Sequence, residues 1–263
     1  MKIIIRNCNV AELDIPLKYA TKLYNEFAIR HPNAFYLRTR QRGMQNWDGK
    51  IKYITKTGQF KIGLLPSVYK RCIELGIKPI IVDMRQPLPK VSKVVTQIGK
   101  YKLRPEQEKA VKAILSNKLG ETPFQIGVLD YTVNAGKTLI MSALYLSYKK
   151  QLKTLLITND SDWLNQARDE FKQYLPGEDI TFVQGKVLNW SNFTIGMVQS
   201  ISRNMKYYQN ELAKIDMVLI DEADQGGSKQ YQNVITRLFN TRVRIGLSGT
   251  IYMSKLAKDK VKN

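Results

Sequence analysis

Residues 125–148 read QIGVLDYTVNAGKTLIMSALYLSY. Gln125 to Leu129 is largely apolar, the pattern of a strand buried in a parallel sheet, and Leu139 to Tyr148 reads as a helix. VNAGKT at 133–138 is the turn between them. Strand, turn and helix in that order set inward-pointing backbone N–H groups at a helix N-terminus, where a polyphosphate is favoured. Asn134, Ala135 and Gly136 would form the cradle. Lys137 can reach the β- and γ-phosphates of ATP, and the Thr138 hydroxyl can hold Mg²⁺. The generic phosphate loop has glycine where this chain has Tyr131, and Asn134 is a further departure that tolerates positive φ.

Two later segments complete a hydrolytic set. IDEAD at 220–224 follows the apolar run from Met217 and puts two adjacent carboxylates at a strand end. Asp221 is the second anchor expected for the metal ion, and Glu222 is the candidate to orient and deprotonate the attacking water. LSGT at 247–250 supplies Ser248, Gly249 and Thr250, candidates to relay nucleotide state.

From Lys102 onward strand and helix patterns alternate, the signature of a parallel sheet flanked by helices. Strands are expected at 124–129, 154–158, 180–184, 193–198, 216–220 and 243–247, with helices over 105–119, 137–150, 161–174 and 228–240. Ligands of such sheets bind at the carboxyl ends of the strands, where Lys137, Asp221 and Ser248 would converge. Residues 1–83 read instead as a small α+β domain, and 84–100, with Pro87, Pro89 and Gly99, as a linker to an ATPase lobe over 101–263.

The formal net charge is +20, of which residues 1–100 carry +13. A polyanionic partner is implied, and nucleic acid suits an ATP-driven motor; the alternative is a solvated basic surface serving solubility. Ala34 to Arg40 reads as a strand, so Arg38, Arg40 and Arg42 would share one face; Lys50 and Lys52 repeat that spacing on the next strand. Such a face would meet phosphates, and Trp47 in the turn could stack on a base. The bland alternative is a polar sheet face with Trp47 as a core plug.

Two cysteines, Cys8 and Cys72, and the single His31 exclude a Cys/His metal cluster and offer no disulfide framework, which points to a reducing compartment. No run approaches the roughly 18 apolar residues of a membrane span. MKIIIRNCNV at the N-terminus turns polar too soon for a signal peptide. The expectation is a soluble, intracellular protein of the cytoplasm.

With these residues in view, the chain resembles the superfamily 2 helicases. LRPEQ at 103–107 is similar to their opening motif, whose glutamine reads adenine, which implies that role for Gln107. LLITNDSDWLNQARDEF at 155–171 and IGMVQSI at 195–201 are similar to segments that lie along single-stranded nucleic acid in that family. The resemblance implies backbone contacts from Thr158, Asn159, Gln199 and Ser200, whose alternative roles are helix capping and loop hydrogen bonds. QNWDGKIKYI at 45–54 and FKIGLLPSVYKRCIELGIK at 60–78 extend the resemblance to the UvsW-like phage recombination helicases, which would place a phage-encoded chain in the host cytoplasm. It implies ATP-driven remodelling of branched DNA, such as fork regression or branch migration.

DEAD by itself suggests an RNA helicase, yet TNDSDWL and SGT stand where those enzymes carry PTRELA-like and SAT motifs, so DNA is the expected partner. These motors use two RecA-like lobes, and only 13 residues follow Thr250. The expectation is an N-terminal fragment whose second lobe is needed for full activity. A motor lobe of a nuclease or restriction system, and a non-catalytic DNA-binding protein, stay open as alternatives.

Overall fold

A computed structural model describes residues 1–41, 43–91, 93–131, 136–184 and 190–249. Arg42, Asn134, Ala135 and Thr250 lie outside the described residues. The chain divides into two compact units, Met1–Arg85 and Gln86–Asn263.

The first unit is built on a four-stranded sheet. Its elements are β1 (Lys2–Ile5), β2 (Val10–Asp14), α1 (Leu17–Glu26), β3 (Ala28–Arg30), α2 (Ala34–Arg40), β4 (Lys50–Lys52), β5 (Gln59–Lys61), α3 (Leu65–Glu74) and β6 (Ile80–Asp83). The sheet order is β5-β2-β1-β6, with β1 antiparallel to β2 and parallel to β6. Alternation puts Ile3 and Ile5 of β1 and Ala11 and Leu13 of β2 inward. Helix α3 brings Leu65, Val68 and Cys72 to them on one stripe and stops where Gly76 takes a left-handed φ of 75°. Strands β3 and β4 pair as a separate two-stranded ribbon, Ile29 opposite Ile51.

One expectation for this unit fails. Ala34 to Arg40 is a helix, not a strand. Ala34 is buried and packs on the turn at Gly49, where an added Cβ would stand 3.0 Å from the Ala34 Cβ. Leu37, one turn on, is half-buried, so the period-three apolar pair prevailed over the period-two arginines. Positions two apart on a helix differ by about 200° around its axis. Arg38 and Arg40 therefore share no face.

The second unit opens with two small hairpins and a helix: β7 (Gln97–Ile98), β8 (Tyr101–Lys102), α4 (Pro105–Ser116), β9 (Lys118–Leu119) and β10 (Thr122–Pro123). A parallel α/β body follows: β11 (Ile126–Asp130), α5 (Lys137–Ser147), β12 (Thr154–Thr158), α6 (Ser161–Tyr174), β13 (Ile180–Val183), β14 (Phe193–Met197), α7 (Val198–Arg203), α8 (Met205–Leu212), β15 (Met217–Asp221), α9 (Lys229–Ile235) and β16 (Val243–Ser248). The six strands from β11 on form one sheet in the order β11-β16-β15-β12-β14-β13, every pair parallel. This is a RecA-like lobe.

Alternation along the strands makes two cores. Leu156, Ile195 and Leu219 face α4, α5 and α6 through Val111, Leu144 and Phe171. Leu155, Ile157 and Val218 face α7, α8 and α9 through Ile201, Tyr208 and Val234. Each fully buried side chain of this kind contributes roughly 1.5–3 kcal/mol. The stretch read as a linker is partly committed to this unit, because Leu88, Val91, Val94 and Val95 pack on the first core and the Val95 N–H donates to Ser147 Oγ at 3.0 Å. No helix among the described residues is long and apolar enough to cross a membrane.

Candidate active site

Strands β11, β16 and β15 are neighbours running the same way, so their carboxyl ends come into line. Asp130 lies opposite Ser248, and Asp221 opposite Leu247. The Tyr131 N–H donates to the Ser248 carbonyl at 2.9 Å, which ties the start of the turn to β16. At the other end of that turn Gly136 caps α5 with φ 76° and ψ 42°, the left-handed region. A Cβ there would stand 2.5 Å from Gln107 Nε2. The left-handed backbone favours glycine, and a side chain there would also have to push the Gln107 amide aside.

Lys137 Nζ lies 3.5 Å from Asp221 Oδ1. The contact is an ion pair rather than a well-formed hydrogen bond, and Asp221 Oδ1 is buried without a hydrogen-bond partner among the described residues. Thr138 follows Lys137 in the first turn of α5 and is buried. An open carboxylate oxygen, with a threonine hydroxyl near the head of a neighbouring helix, is an all-oxygen donor set suited to a hard cation such as Mg²⁺. Burial raises the Asp221 pKa above the ordinary carboxylate range, against the pull of Lys137. Burial also raises that of Glu222, and the charges of Asp221 and Asp224 push the same way.

Glu222 holds φ 52° and ψ 56°, left-handed for a residue with a side chain. Such a conformation persists only where its surroundings fix it. Here the Tyr231 hydroxyl donates to the Asp221 carbonyl at 3.4 Å, and Ser248 Oγ donates to Asp224 Oδ1 at 2.8 Å. Beneath them Gly246 leaves room for the 3₁₀ segment Ala223–Gly227, since a Cβ on it would come 2.5 Å from the Ala223 Cβ. Glu222 is thus held at the strand ends with its carboxyl group partly exposed.

The family model for type III restriction enzyme, res subunit, matches residues 100–253. The chain belongs to this family. It is also 24% identical over 227 residues to the ATP-dependent DNA helicase uvsW of Enterobacteria phage T4, covering 78% of this chain and 43% of that protein. It is 26% identical over 147 residues to the Acanthamoeba polyphaga mimivirus protein named "Putative ATP-dependent RNA helicase L396", covering 56% of this chain and 27% of that one. The chain therefore spans less than half the length of these curated relatives. The crystal structure of the T4 UvsW helicase superposes with a TM-score of 0.73 at 20% identity, covering 99% of this chain and 97% of that one. These likenesses relate the chain to UvsW, with which it shares the fold of a RecA-like lobe preceded by a small α+β unit.

In this res-subunit lobe Lys137, Thr138, Asp221, Glu222 and Ser248 come together, with Gly249 directly after Ser248 at the end of β16. Gln107 is buried and caps its own helix, accepting from the Arg104 N–H at 2.9 Å while its Nε2 lies over Gly136. Its carboxamide borders Gly136. Three participants were not among the residues expected from sequence. Asp224 engages Ser248, Tyr231 braces Asp221, and Gly246 admits the acidic turn. Only Asp224 lay within a recognisable motif.

The residues expected to touch nucleic acid meet different fates. Thr158 is fully buried, its hydroxyl accepting from the Asp160 N–H at 3.1 Å, so it has no surface to offer. Asn159 follows β12 and Gln199 lies in the first turn of α7, after the neighbouring β14, and the two are joined by a Gln199 Nε2 to Asn159 carbonyl bond of 3.3 Å. Their side-chain oxygens have no hydrogen-bond partner among the described residues. Ser200 sits in α7, where its carbonyl accepts from Asn204 Nδ2 at 2.9 Å.

In the first unit Lys52 is drawn to Asp48 at 3.3 Å and lies over the Tyr24 ring, while Lys50 is exposed. Trp47 donates its indole N–H to the Lys50 carbonyl at 3.0 Å and stands edge-on to His31. It clips the turn together, with its ring half-buried.

Proposed function

We propose that this chain is the ATP-binding lobe, with its own DNA-binding unit, of a helicase or translocase that remodels branched DNA by fork regression or branch migration in recombination or repair. The observation that carries the nucleotide half is the convergence of Lys137, Asp221 and Glu222 at the carboxyl edge of neighbouring parallel strands. Lys137 would leave Asp221 for the β- and γ-phosphates of ATP, which relieves its neutralisation of the buried carboxylate. Thr138 and Asp221 would hold Mg²⁺, which when bound neutralises developing charge on the phosphates. Glu222 would orient the attacking water and accept its proton, a role that suits a carboxyl group whose pKa is raised.

The DNA half rests on the basic first unit and on the relative from phage T4. A second RecA-like lobe, supplied by further chain or by another molecule, would complete the site, and the setting would be the cytoplasm. A titration of this chain against fluorescent branched, duplex and single-stranded DNA and matched RNA, across a salt series, tests the reading. Steeply salt-dependent binding that favours branched DNA supports it; preference for RNA moves it toward the mimivirus relative's named class.

A further inference from the structure

Helix α2 presents an outer face that the fold of its unit does not use. Ala34 packs on Gly49 and Leu37 is half-buried, which leaves Phe35, Tyr36, Thr39 and Arg40 outward. Phe35 is 75% exposed and Tyr36 55%. The Arg40 guanidinium sits 5.0 Å over the Tyr36 ring, and Thr39 spends its hydroxyl on the Phe35 and Tyr36 carbonyls. The helix is held firmly under this face, because Ala34 packs on Gly49 and its N–H donates to the His31 carbonyl at 3.0 Å.

We infer that Phe35, flanked by Tyr36 and Arg40, is a stacking platform for an unpaired DNA base at a strand junction. An exposed aromatic side chain rigidly carried on a helix offers a π-face that any base can cover. The surroundings select a nucleic acid over an apolar protein surface. Between Ala28 and Lys52 the chain has six Lys and Arg residues against a single acidic one, Asp48, and that one is engaged by Lys52. Arg40, five residues on and about 140° round the helix axis from Phe35, stands at the other margin of the exposed arc, where it would meet the phosphates flanking a base stacked on Phe35. Trp47, the aromatic residue that sequence favours for this work, is already committed to the turn.

The inference rests on the DNA-binding reading and is tested separately from it. The 263-residue chain would be titrated with a fork carrying 2-aminopurine at the first unpaired position and with plain duplex. Phe35→Ala should weaken fork binding by about tenfold or more, leave duplex binding unchanged and abolish the fluorescence change of the probe base. Phe35→Trp should retain all three. Arg40→Ala should weaken binding to both DNAs and lower the salt slope by about one. Fork binding and fluorescence unaltered by Phe35→Ala, with Arg40→Ala still harmful, would overturn the platform and leave the DNA reading standing. No binding of any DNA by the unaltered chain would overturn both. A change of oligomeric state on Phe35→Ala without any DNA effect would assign the face to a protein contact instead.

Discussion

Replacing Gly246 with alanine should disturb catalysis from beneath. The new Cβ would stand 2.5 Å from the Ala223 Cβ, with both Val128 methyl groups at 3.5 Å. Carbon atoms in contact sit at about 3.5–4.0 Å, so the two chain segments must part by about 1 Å. β16 is hydrogen-bonded on both sides, between β11 and β15, whereas Ala223 belongs to a short 3₁₀ turn, so the turn should give way. Overpacking of this kind costs roughly 1–3 kcal/mol. The displaced residue directly follows Glu222, and a misplacement of about 1 Å lowers a positioned reaction by on the order of 10²-fold. Ala223→Gly removes the opposing methyl group. In the double variant the two costs should fall short of additivity by about 1–2 kcal/mol in urea unfolding, and hydrolysis by the complete motor should largely return. Additive costs, or a Gly246→Ala protein as stable and active as its parent, would refute the packing argument.

Gly136→Ala should lose roughly 1–2 kcal/mol from the left-handed backbone, with a smaller addition for displacing the Gln107 amide. Only the second part should vanish in a Gln107→Ala background, as read by chemical unfolding. Glu222→Gln in a chain that includes a second lobe should cut DNA-stimulated hydrolysis by about 10²–10⁴-fold while nucleotide affinity is retained; an unchanged rate would remove Glu222 from the reaction. Because the folded-state pKa of Asp221 is raised, the stability linked to its protonation is fully present below the ordinary carboxylate value and is lost as pH rises through the raised one. Asp221→Asn should therefore gain stability relative to its parent as pH rises toward neutrality, with metal-dependent hydrolysis lost. A gain that shrinks with rising pH would reverse the sign of that argument.

The parallel sheet was legible because its strands are short, mainly apolar segments, as in TLLIT at 154–158, separated by polar turns and helical patterns. Asp221 and Ser248 were legible for a related reason: a strand that ends at a ligand edge passes straight from apolar residues to a polar one. Lys137 was legible from the turn motif that opens α5. Short helices were not. α2 is seven residues long, too few to display a helical period, and its seat on Gly49 is a contact between positions 15 apart. The run 198–212 was not read as helix, and there α7 and α8 meet at Asn204, which interrupts the pattern.

Contacts across the sheet were hidden altogether. Nothing local marks Gly246 as the space that Ala223 fills, or Tyr231 as the brace under Asp221. Trp47 was hidden in the same way, for nothing local shows that its N–H goes to the Lys50 carbonyl of its own turn.

If the carboxyl edge of β11, β16 and β15 binds a Mg²⁺-nucleotide, thermal unfolding of the chain with and without MgATP, beside Lys137→Ala, should reveal it. A ligand at about 100 times its Kd stabilises the folded state by about 2.7 kcal/mol. The expected result is a rise in Tm that needs Mg²⁺ and nucleotide together and is absent in Lys137→Ala. An equal rise in Lys137→Ala, or none in the parent at millimolar MgATP, would contradict the assignment of this edge as the nucleotide site.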